Sequence, residues 1–352
     1  MAIETKLARA VSPRRAGWFR ICALAACLLA GAPAGFGEEL TYEHLFTLGT
    51  DAGVNPRSRL ATGLGRLLFG APERLSPVHI PRSVAVDDTG RIWIADEGAR
   101  ALHMFHVLGN EYMVIRKAGK VALRCPVGVD VDLHGRVYLV DACLRQIFVF
   151  DRTGEYLRRL LGKRNRHTLV APSDIAVSID LRRIYVTDPG RHEVLVFNQE
   201  GEEVGRLETS PERGGLQTPL RLAVGLKDVY VLDTGARRVE VFDSRGNYSR
   251  SIRWGPVRRP SAFGIDRSTG LVYIGDPDYE TVLVYSSRGR RISLIGQSGD
   301  AIDQFHKPYD IYVDTHGRVY VVDSLSRKVV VFRPTFDESD LEAAEKAAAP
   351  DR

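Results

Sequence analysis

The sequence has few of the features that mark a catalytic, metal-binding or membrane-spanning protein. Its 352 residues include four cysteines, but no Cys-x-x-Cys pair and no cysteine/histidine cluster, which excludes the usual zinc sites and covalent haem attachment. No Ser/His/Asp or Gly-x-Ser-x-Gly arrangement stands out. The apolar run Ile21 to Ala30 is too short to cross about 30 Å of hydrocarbon. We therefore expect no catalytic residues, no metal, no cofactor and no transmembrane segment.

A strong excess of basic charge is also lacking. The net charge is +5, but residues 1–34 hold five bases and one acid, so the rest of the chain has a net charge of about +1. Residues 337–352 are acidic and alanine-rich, and Ser339-x-x-Glu342 predicts a capped helix there. This balance excludes a strongly basic nucleic-acid binder, so we expect no nucleic acid as partner.

The N-terminal segment is typical of an export signal. Bases precede the short apolar run, and the small residues Ala32-Pro33-Ala34-Gly35 follow it. We expect a signal peptide over residues 1–34 and an exported protein, periplasmic or extracellular. The alternative is a lipoprotein box, Leu24-Ala25-Ala26-Cys27, with the chain anchored at Cys27.

Six repeats organise the body of the chain. The run from Pro81 to Asp96 recurs at positions 126–141, 172–188, 219–233, 260–276 and 308–323, and the final aspartates are 43 to 47 residues apart. Each repeat has short runs rich in Val, Ile, Tyr and Phe, bounded by Gly, Pro or Asp, which predict strands and hairpins. Four strands per unit and a period near 45 are typical of a β-propeller, so we predict an all-β, six-bladed propeller of four-stranded antiparallel blades.

The sixth repeat lacks a fourth strand. Residues 41–49 fit the pattern of a fourth strand, so we predict that this N-terminal strand closes the last blade and leaves no open edge. The predicted propeller domain spans 38–336. A helical insertion is predicted over 55–70, because Asn55-Pro56 starts a run with leucines on one helical face.

These repeats resemble the NHL-repeat family, whose pattern is Pro-x-x-[Val/Ile]-Ala-Val-Asp, Gly-x-[Ile/Val]-Tyr-Val-x-Asp and Val-x-Val-Phe. The resemblance covers roughly residues 81–333 and recurs six times. It implies the propeller fold and a bacterial, exported member of the family. Some NHL propellers bind RNA. For this chain, the predicted export argues against RNA as the partner.

Repeated residues are interpreted as structural. The six aspartates that end the second strands are expected to cap backbone amides. The aromatic residue before each of them is expected to pack between blades. The members are Asp96, Asp141, Asp188, Asp233, Asp276 and Asp323, with Trp93, Tyr138, Tyr185, Tyr230, Tyr273 and Tyr320.

Residues that differ between blades are the candidates for function. Two positions after each proline, near the predicted channel entrance, stand Ser83, Gly128, Asp174, Arg221, Ala262 and Asp310. Asp174 and Asp310 belong to opposed blades, with Arg221 beside one of them. A salt bridge to Arg221 or simple solvation is favoured over a bound cation. An alternative function, a metal-dependent hydrolase or lyase at the channel mouth, would use these carboxylates and a histidine such as His79 or His306.

The loops on the same side carry many bases, among them Arg145, Arg191 and Arg238. The leading hypothesis is therefore a non-catalytic binding or scaffold module. Its partner would be a protein or an anionic ligand, bound with Asp174, Arg221, Asp310 and these arginines.

A disulfide between Cys125 and Cys143 is predicted. To within one residue, the two cysteines are equally far from the hairpin turn Asp132–Gly135, so they lie across one strand pair. Export to an oxidising compartment favours the bond.

Overall fold

Strands account for most of the described chain. The structure is a computed structural model that describes residues 40–49, 78–109, 111–162, 169–178, 182–208, 214–255 and 257–347. They belong to one compact unit, Glu39–Arg352. The predicted signal peptide, the lipidation site Cys27 and the predicted helix 55–70 lie outside the described residues. The described part contains no helix with the length and apolarity that a bilayer crossing requires.

Six four-stranded antiparallel sheets form the blades of a propeller, as the repeats predict. Blade 1 consists of β2 (Pro81–Val86), β3 (Arg91–Asp96), β4 (Ala101–His106) and β5 (Glu111–Ile115). A small hairpin, β6 (Lys117–Ala118) and β7 (Val121–Ala122), leads to blade 2: β8 (Pro126–Val131), β9 (Val137–Asp141), β10 (Gln146–Phe150) and β11 (Tyr156–Arg159). Blade 3 consists of β12 (Asp174–Val177), β13 (Ile184–Asp188), β14 (Glu193–Phe197) and β15 (Glu203–Leu207).

The other three blades follow the same order. Blade 4 consists of β16 (Pro219–Val224), β17 (Asp228–Asp233), β18 (Arg238–Asp243) and β19 (Tyr248–Ile252). Blade 5 consists of β20 (Ala262–Ile265), β21 (Val272–Asp276), β22 (Thr281–Tyr285) and β23 (Arg291–Ile295). Blade 6 consists of β24 (Pro308–Val313), β25 (Val319–Asp323), β26 (Lys328–Pro334) and β1 (Tyr42–Leu48). The N-terminal strand therefore closes the last blade.

The closure is continuous in register and tightly packed. Strand β1 pairs antiparallel with β26, from Tyr42 opposite Pro334 to Leu48 opposite Val329. Gly49 follows with a φ of 98°, and a Cβ there would lie 2.6 Å from the carbonyl oxygen of Arg327. Only glycine fits both the left-handed backbone and this close approach.

Apolar side chains between neighbouring blades form the core, because one four-stranded sheet cannot bury both of its faces alone. The repeated aromatic residues lie in these layers, and Trp93, Tyr138, Tyr185 and Tyr273 are fully buried. Their predicted packing role is confirmed.

One helix is described, α1 (Glu338–Ala347). Its N-terminal cap differs from the sequence prediction, which used Ser339. The carboxylate of Asp337 accepts hydrogen bonds from the backbone amides of Ser339 and Asp340. Leu341 and Ala344 pack against the core between blades 5 and 6. The helix begins earlier because aspartate at 337 provides a charged cap two residues ahead of Ser339.

The inner strands β2, β8, β12, β16, β20 and β24 line the channel. We call the end where they begin the entrance face. It also carries the turns between second and third strands and the segments that lead into the inner strands, such as His79–Ile80 before β2 and Arg124–Cys125 before β8. We call these segments the lead-in loops. The opposite end is the lower face.

Candidate functional site

Side chains of the inner strands tie each blade to the next at the entrance end of the channel. The Ser83 hydroxyl accepts a hydrogen bond from the Val129 amide (3.1 Å), and the Asp174 carboxylate accepts one from the Leu222 amide (3.0 Å). The Asp310 carboxylate likewise accepts a bond from the Val84 amide of blade 1. These amides lie on the unpaired inner edges of the sheets, where an unmet donor would be costly.

Arg221 closes the centre of the channel. Its side chain is 2% exposed, and its Nη1 lies 3.5 Å from Asp174 Oδ1 and 4.0 Å from Asp310 Oδ1. Its Nη2 donates to the carbonyl oxygens of Arg82 and Tyr309, each at 3.0 Å. The guanidinium also lies 4.7 Å from the centre of the Tyr309 ring, whose neighbourhood includes Arg82 at 4.3 Å.

The structure thus brings together three residues that the sequence placed at the channel mouth, and it shows them buried. Asp174 and Asp310 are each 5% exposed. Their oxygens accept hydrogen bonds from backbone amides and lie near the guanidinium of Arg221. These contacts agree with the expected salt bridge to Arg221 and not with simple solvation. A large ligand at the entrance face would meet Tyr309 and Arg82 before it met these carboxylates.

Burial dominates the electrostatics of this cluster. Loss of hydration raises the pKa of Asp174 to about 7, although the guanidinium of Arg221 acts in the opposite direction. Burial also raises the pKa of Asp310. One cation therefore serves two carboxyl groups, and a proton is held in the cluster more readily than by exposed aspartates.

A second polar layer lies deeper in the channel, and the sequence reasoning missed it. Asp130 and Tyr312 occupy the position two residues further along their strands, where the other blades have alanine or glycine. Burial raises the pKa of Asp130 to about 6, while Arg267 lowers it by its charge. A cavity of about 50 Å³ lies between the two layers. The period of two along a strand places residues 128 and 130 on one face, so the signal was present.

The histidines considered as metal ligands lie at the rim. His306 pairs with Asp300 (2.8 Å) and Glu280 (3.6 Å), which raises the pKa of its ring. The backbone amide of His79 donates a hydrogen bond to the carboxylate of Asp96 at 2.6 Å. Within the described ranges, no group of three or more His, Cys, Asp or Glu side chains could hold a metal ion.

The aspartates that end the second strands have the predicted capping role. Asp233, for example, accepts bonds from the amides of Gln217, Thr218 and Ala236 at 2.7 to 3.0 Å. Two of these amides belong to the lead-in loop, so each aspartate fixes that loop against the turn. The entrance face therefore has a rigid backbone framework.

A left-handed residue precedes the third strand in every blade. These residues have φ values of 50° to 59° and are Arg100, Arg145, His192, Arg237, Glu280 and Arg327. Such a backbone favours glycine or asparagine. Four of the six positions nevertheless carry arginine, whose side chains are exposed on the entrance face.

The three arginines singled out from the sequence differ in their contacts. Arg145 is one of the exposed left-handed residues, with no ion pair among the described residues. Arg191 pairs with Glu193 at 2.8 Å, and Arg238 pairs with the fully buried Glu240. In both pairs the acid stands two residues after the arginine, whereas Arg145 is followed at that distance by Ile147. The spacing of two, which puts side chains on one face of an extended segment, was the sequence signal for this difference.

Cys125 and Cys143 are joined by a disulfide with their Cα atoms 5.3 Å apart. The bond occupies a contact that recurs between lead-in loop and turn. In blade 5 the equivalent pair is the salt bridge of Arg259 with Asp278. In blade 1 the equivalent contact is Ile80 against Gly98.

Comparison with known proteins agrees with the repeat pattern. No protein-family model matches the sequence. A segment of 125 residues is 29% identical to NHL repeat-containing protein 3 of Mus musculus and covers 31% of this chain and 36% of that protein. The match therefore spans about a third of the relative's length.

Solved structures share the fold. A Bacteroides thetaiotaomicron VPI-5482 protein of unknown function matches with a TM-score of 0.58 and 15% identity, over 74% of this chain and 70% of its own. Virginiamycin B lyase of Staphylococcus aureus matches at 0.54 and 10%, over 73% and 96%. A chain of a nidogen/laminin complex matches at 0.55 and 18%, over 67% and 85%. At these identities the likeness is one of fold alone.

Proposed function

Because the chain is an NHL-repeat six-bladed β-propeller, we propose that it acts as an exported, non-catalytic binding or scaffold module. Its entrance face would bind a protein or an anionic ligand. The observation that carries this proposal is the exposed arginine at the left-handed position of blades 1, 2, 4 and 6. The turn explains the backbone geometry, but it does not require a long cationic side chain there.

Two further features support a binding face. The lead-in loops and turns are held by buried aspartates, so a partner would not have to order them on binding. Large apolar side chains are exposed between the arginines, including Tyr279 (46%), Ile302 (50%) and Leu325 (64%). Arginine and exposed aromatic or aliphatic residues together favour a protein partner.

Site-specific photo-crosslinking tests the proposal. A benzophenone amino acid is placed at Tyr279 or Leu325 on the entrance face, and at Leu133 or Leu226 on the lower face as matched exposed controls. The protein is then mixed with exported proteins of its source. We expect the same partner to be crosslinked from both entrance positions and from neither control; crosslinks confined to the lower face would contradict the proposal.

Export is a separate part of the proposal and has its own test. We expect the chain recovered outside the cytoplasm to begin after Ala34. The alternative is a lipid-modified Cys27 at the new N-terminus. Sequencing of the mature N-terminus, with mass spectrometry for an acyl group, distinguishes the two; recovery of the whole chain from the cytoplasm alone would contradict both.

A metal-dependent hydrolase or lyase is the second candidate. The fold likeness to virginiamycin B lyase favours it, together with the clustered carboxyl groups of Asp174 and Asp310. Metal analysis of the purified protein tests this function. Stoichiometric calcium or zinc in the native chain, lost in the Asp174→Asn/Asp310→Asn variant, would favour the enzyme over the binding module.

A further inference from the structure

The left-handed residues fall into two groups around the ring. In blades 3, 4 and 5 the side chain is tied down: His192 bonds to the Gln217 carbonyl, Arg237 to the Val257 carbonyl, and Glu280 to Ser298 and His306. In each case the contact is with the lead-in loop that follows. The left-handed side chain in these three blades therefore helps to close the ring.

Blades 6, 1 and 2 are consecutive around the ring and differ from the others. Here the left-handed residues are Arg327, Arg100 and Arg145, all exposed. Among the described residues, none of the three has a side-chain hydrogen bond or an ion pair. Lys307 and Arg124, which lie in the lead-in loops of blades 6 and 2, are exposed as well. We call these five residues the basic sector.

Acidic groups near the basic sector are already engaged. Glu97 pairs with Arg82 at 2.6 Å. Asp96, Asp141 and Asp323 are fully buried and accept bonds from backbone amides. In the lead-in loop of blade 6, Asp300 pairs with His306, and Asp300 and Asp303 both act on Lys328 by their charge. None of the five bases forms an ion pair with a described acid, so at low ionic strength the sector attracts anionic groups.

Apolar side chains lie within the same arc. Leu325 belongs to the turn that carries Arg327, and it is 64% exposed. Ile80, which contacts the turn of Arg100, is 41% exposed. Polyanions such as nucleic acids or sulfated glycans would use the charges but gain nothing from these two residues. A polypeptide with both acidic and apolar side chains would use both.

The backbone that carries the basic sector is held in place. Asp141 accepts bonds from the amides of Arg124 and Cys125, and the disulfide joins Cys125 to Cys143, two residues before Arg145. The guanidinium groups of Arg124 and Arg145 thus project from the two ends of one covalently closed hairpin. Such a framework lowers the entropy lost when a partner binds.

We propose that the basic sector, with Leu325 and Ile80, is the docking surface for an acidic polypeptide segment that also carries apolar side chains. This inference rests on the proposed function and specifies which part of the entrance face binds and which class of partner it takes. Carboxylates of the segment would pair with the arginines, and its apolar residues would cover the two exposed aliphatic side chains.

Fluorescence anisotropy with defined probes tests this proposal. The probes are a labelled 14-residue peptide of glutamate with leucine at every third position, a peptide of glutamate alone, and a heparin fragment. We expect the glutamate/leucine peptide to bind most tightly. Equal or tighter binding of the all-glutamate peptide or of heparin would overturn the polypeptide partner in favour of a general polyanion, and no binding of any probe would overturn the docking surface.

Charge-reversal variants locate the binding surface. The variant Arg100→Glu/Arg145→Glu/Arg327→Glu should weaken binding of the glutamate/leucine peptide by about 30-fold or more, since three attractive pairs become repulsive. Because asparagine tolerates a left-handed backbone, the corresponding triple asparagine variant should also lose most binding without strain at the turns. Unchanged binding in the asparagine variant would overturn the proposal.

A matched control reverses three exposed arginines on the lower face: Arg152→Glu/Arg245→Glu/Arg288→Glu. It changes the net charge equally, so it should alter binding less than about twofold. An equal loss of peptide affinity in both triple variants would show non-specific attraction to the net charge. That result would refute the basic sector as the binding surface. The variant Leu325→Ser/Ile80→Ser should weaken binding of the glutamate/leucine peptide but not of the all-glutamate peptide.

The two proposals fail separately. If entrance-face crosslinks form but none of these probes binds, the module function stands and the basic sector is wrong. If the probes bind the sector but no natural partner is crosslinked from the entrance face, the sector is an anion-attracting surface and the module function is wrong.

Discussion

Replacement of Arg221 by methionine tests whether the channel cluster holds the ring together. Methionine keeps most of the apolar volume but removes the cation between Asp174 and Asp310, together with the hydrogen bonds to carbonyl oxygens of blades 1, 5 and 6. Removal of one partner from a buried ion pair typically costs about 3–5 kcal/mol, because the remaining charge is uncompensated. We expect a loss of that size at pH 8.

The loss should depend on pH, and the raised pKa values of the aspartates give its sign. Burial raises the pKa of both carboxyl groups and Arg221 opposes this, so without Arg221 they hold their protons more readily at pH 5 than at pH 8. At pH 5 the variant therefore loses mainly neutral hydrogen bonds, worth roughly 2 kcal/mol in sum. Above pH 7 it must either bury unpaired carboxylates or hold their protons at a cost of about 1.4 kcal/mol per pKa unit. The variant should therefore be closer in stability to the native protein at pH 5 than at pH 8.

The native protein should show a related trend. Asp174 has a folded pKa of about 7, above its value in an unfolded chain. Its contribution to stability is therefore complete below about pH 4 and is lost as the pH rises towards 7. The variant Asp174→Asn should flatten this part of the profile.

Urea unfolding at pH 5 and pH 8, with the disulfide intact, measures these differences. Arg206→Met is the control, because Arg206 pairs with Glu193 and Glu203 at the surface, and its loss should be within about 1 kcal/mol at both pH values. A loss for Arg221→Met below about 1 kcal/mol at pH 8, or an equal loss at both pH values, would refute the reasoning.

Three further predictions concern the framework. The unreduced exported protein should be lighter by about 2 Da than the reduced one, and reduction of the Cys125–Cys143 bond should cost about 3 kcal/mol; two alkylatable thiols in the unreduced protein would contradict this. Deletion of residues 38–50 should lower the melting midpoint by about 10 °C or more, because β26 loses its pairing partner, and an unchanged midpoint would refute the closure. Asp233→Ala should cost about 3 kcal/mol in urea unfolding, because three backbone amides lose their acceptor, and a loss comparable to that of Arg206→Met would argue against the capping role.

The recurring contact between lead-in loop and turn shows how the repeats diversify without changing the fold. The same pair of positions holds a disulfide in blade 2, a salt bridge in blade 5 and a glycine contact in blade 1. Each solution fixes the loop by different chemistry. At this contact the blades therefore differ in their side chains and keep the same backbone arrangement.

Much of the architecture could be predicted from the sequence, because its determinants are local and repeated. Short runs rich in Val, Ile, Tyr and Phe predicted the strands, the Gly, Pro and Asp residues that bound them predicted the hairpins, and the missing fourth strand of the last repeat pointed to residues 41–49. The helix cap was the exception, since Ser339 and Asp337 offer competing acceptors and the local pattern did not decide between them.

The channel shows where sequence reasoning stopped. The order of residues placed Asp174, Arg221 and Asp310 near one another, but it did not reveal that the guanidinium is buried between both carboxylates. Asp130 and Tyr312 lie in the next inward-facing row, two residues beyond Gly128 and Asp310, where the other four blades have alanine or glycine. Whether a polar side chain reaches a neighbour depends on the distance between inner strands, which is set by the ring as a whole.

The sequence by itself determined the number of blades, the strand order within each, the closing strand and the position of the cysteine pair, since each follows from short-range periodicity and chain order. Only the tertiary structure decided that Arg221 closes the channel. It also decided that the left-handed arginines of three consecutive blades, Arg327, Arg100 and Arg145, form no ion pair among the described residues. These outcomes depend on contacts between residues in different blades, often more than 80 positions apart as for Arg221 and Tyr309. Ring closure fixes those distances, and no local pattern encodes them.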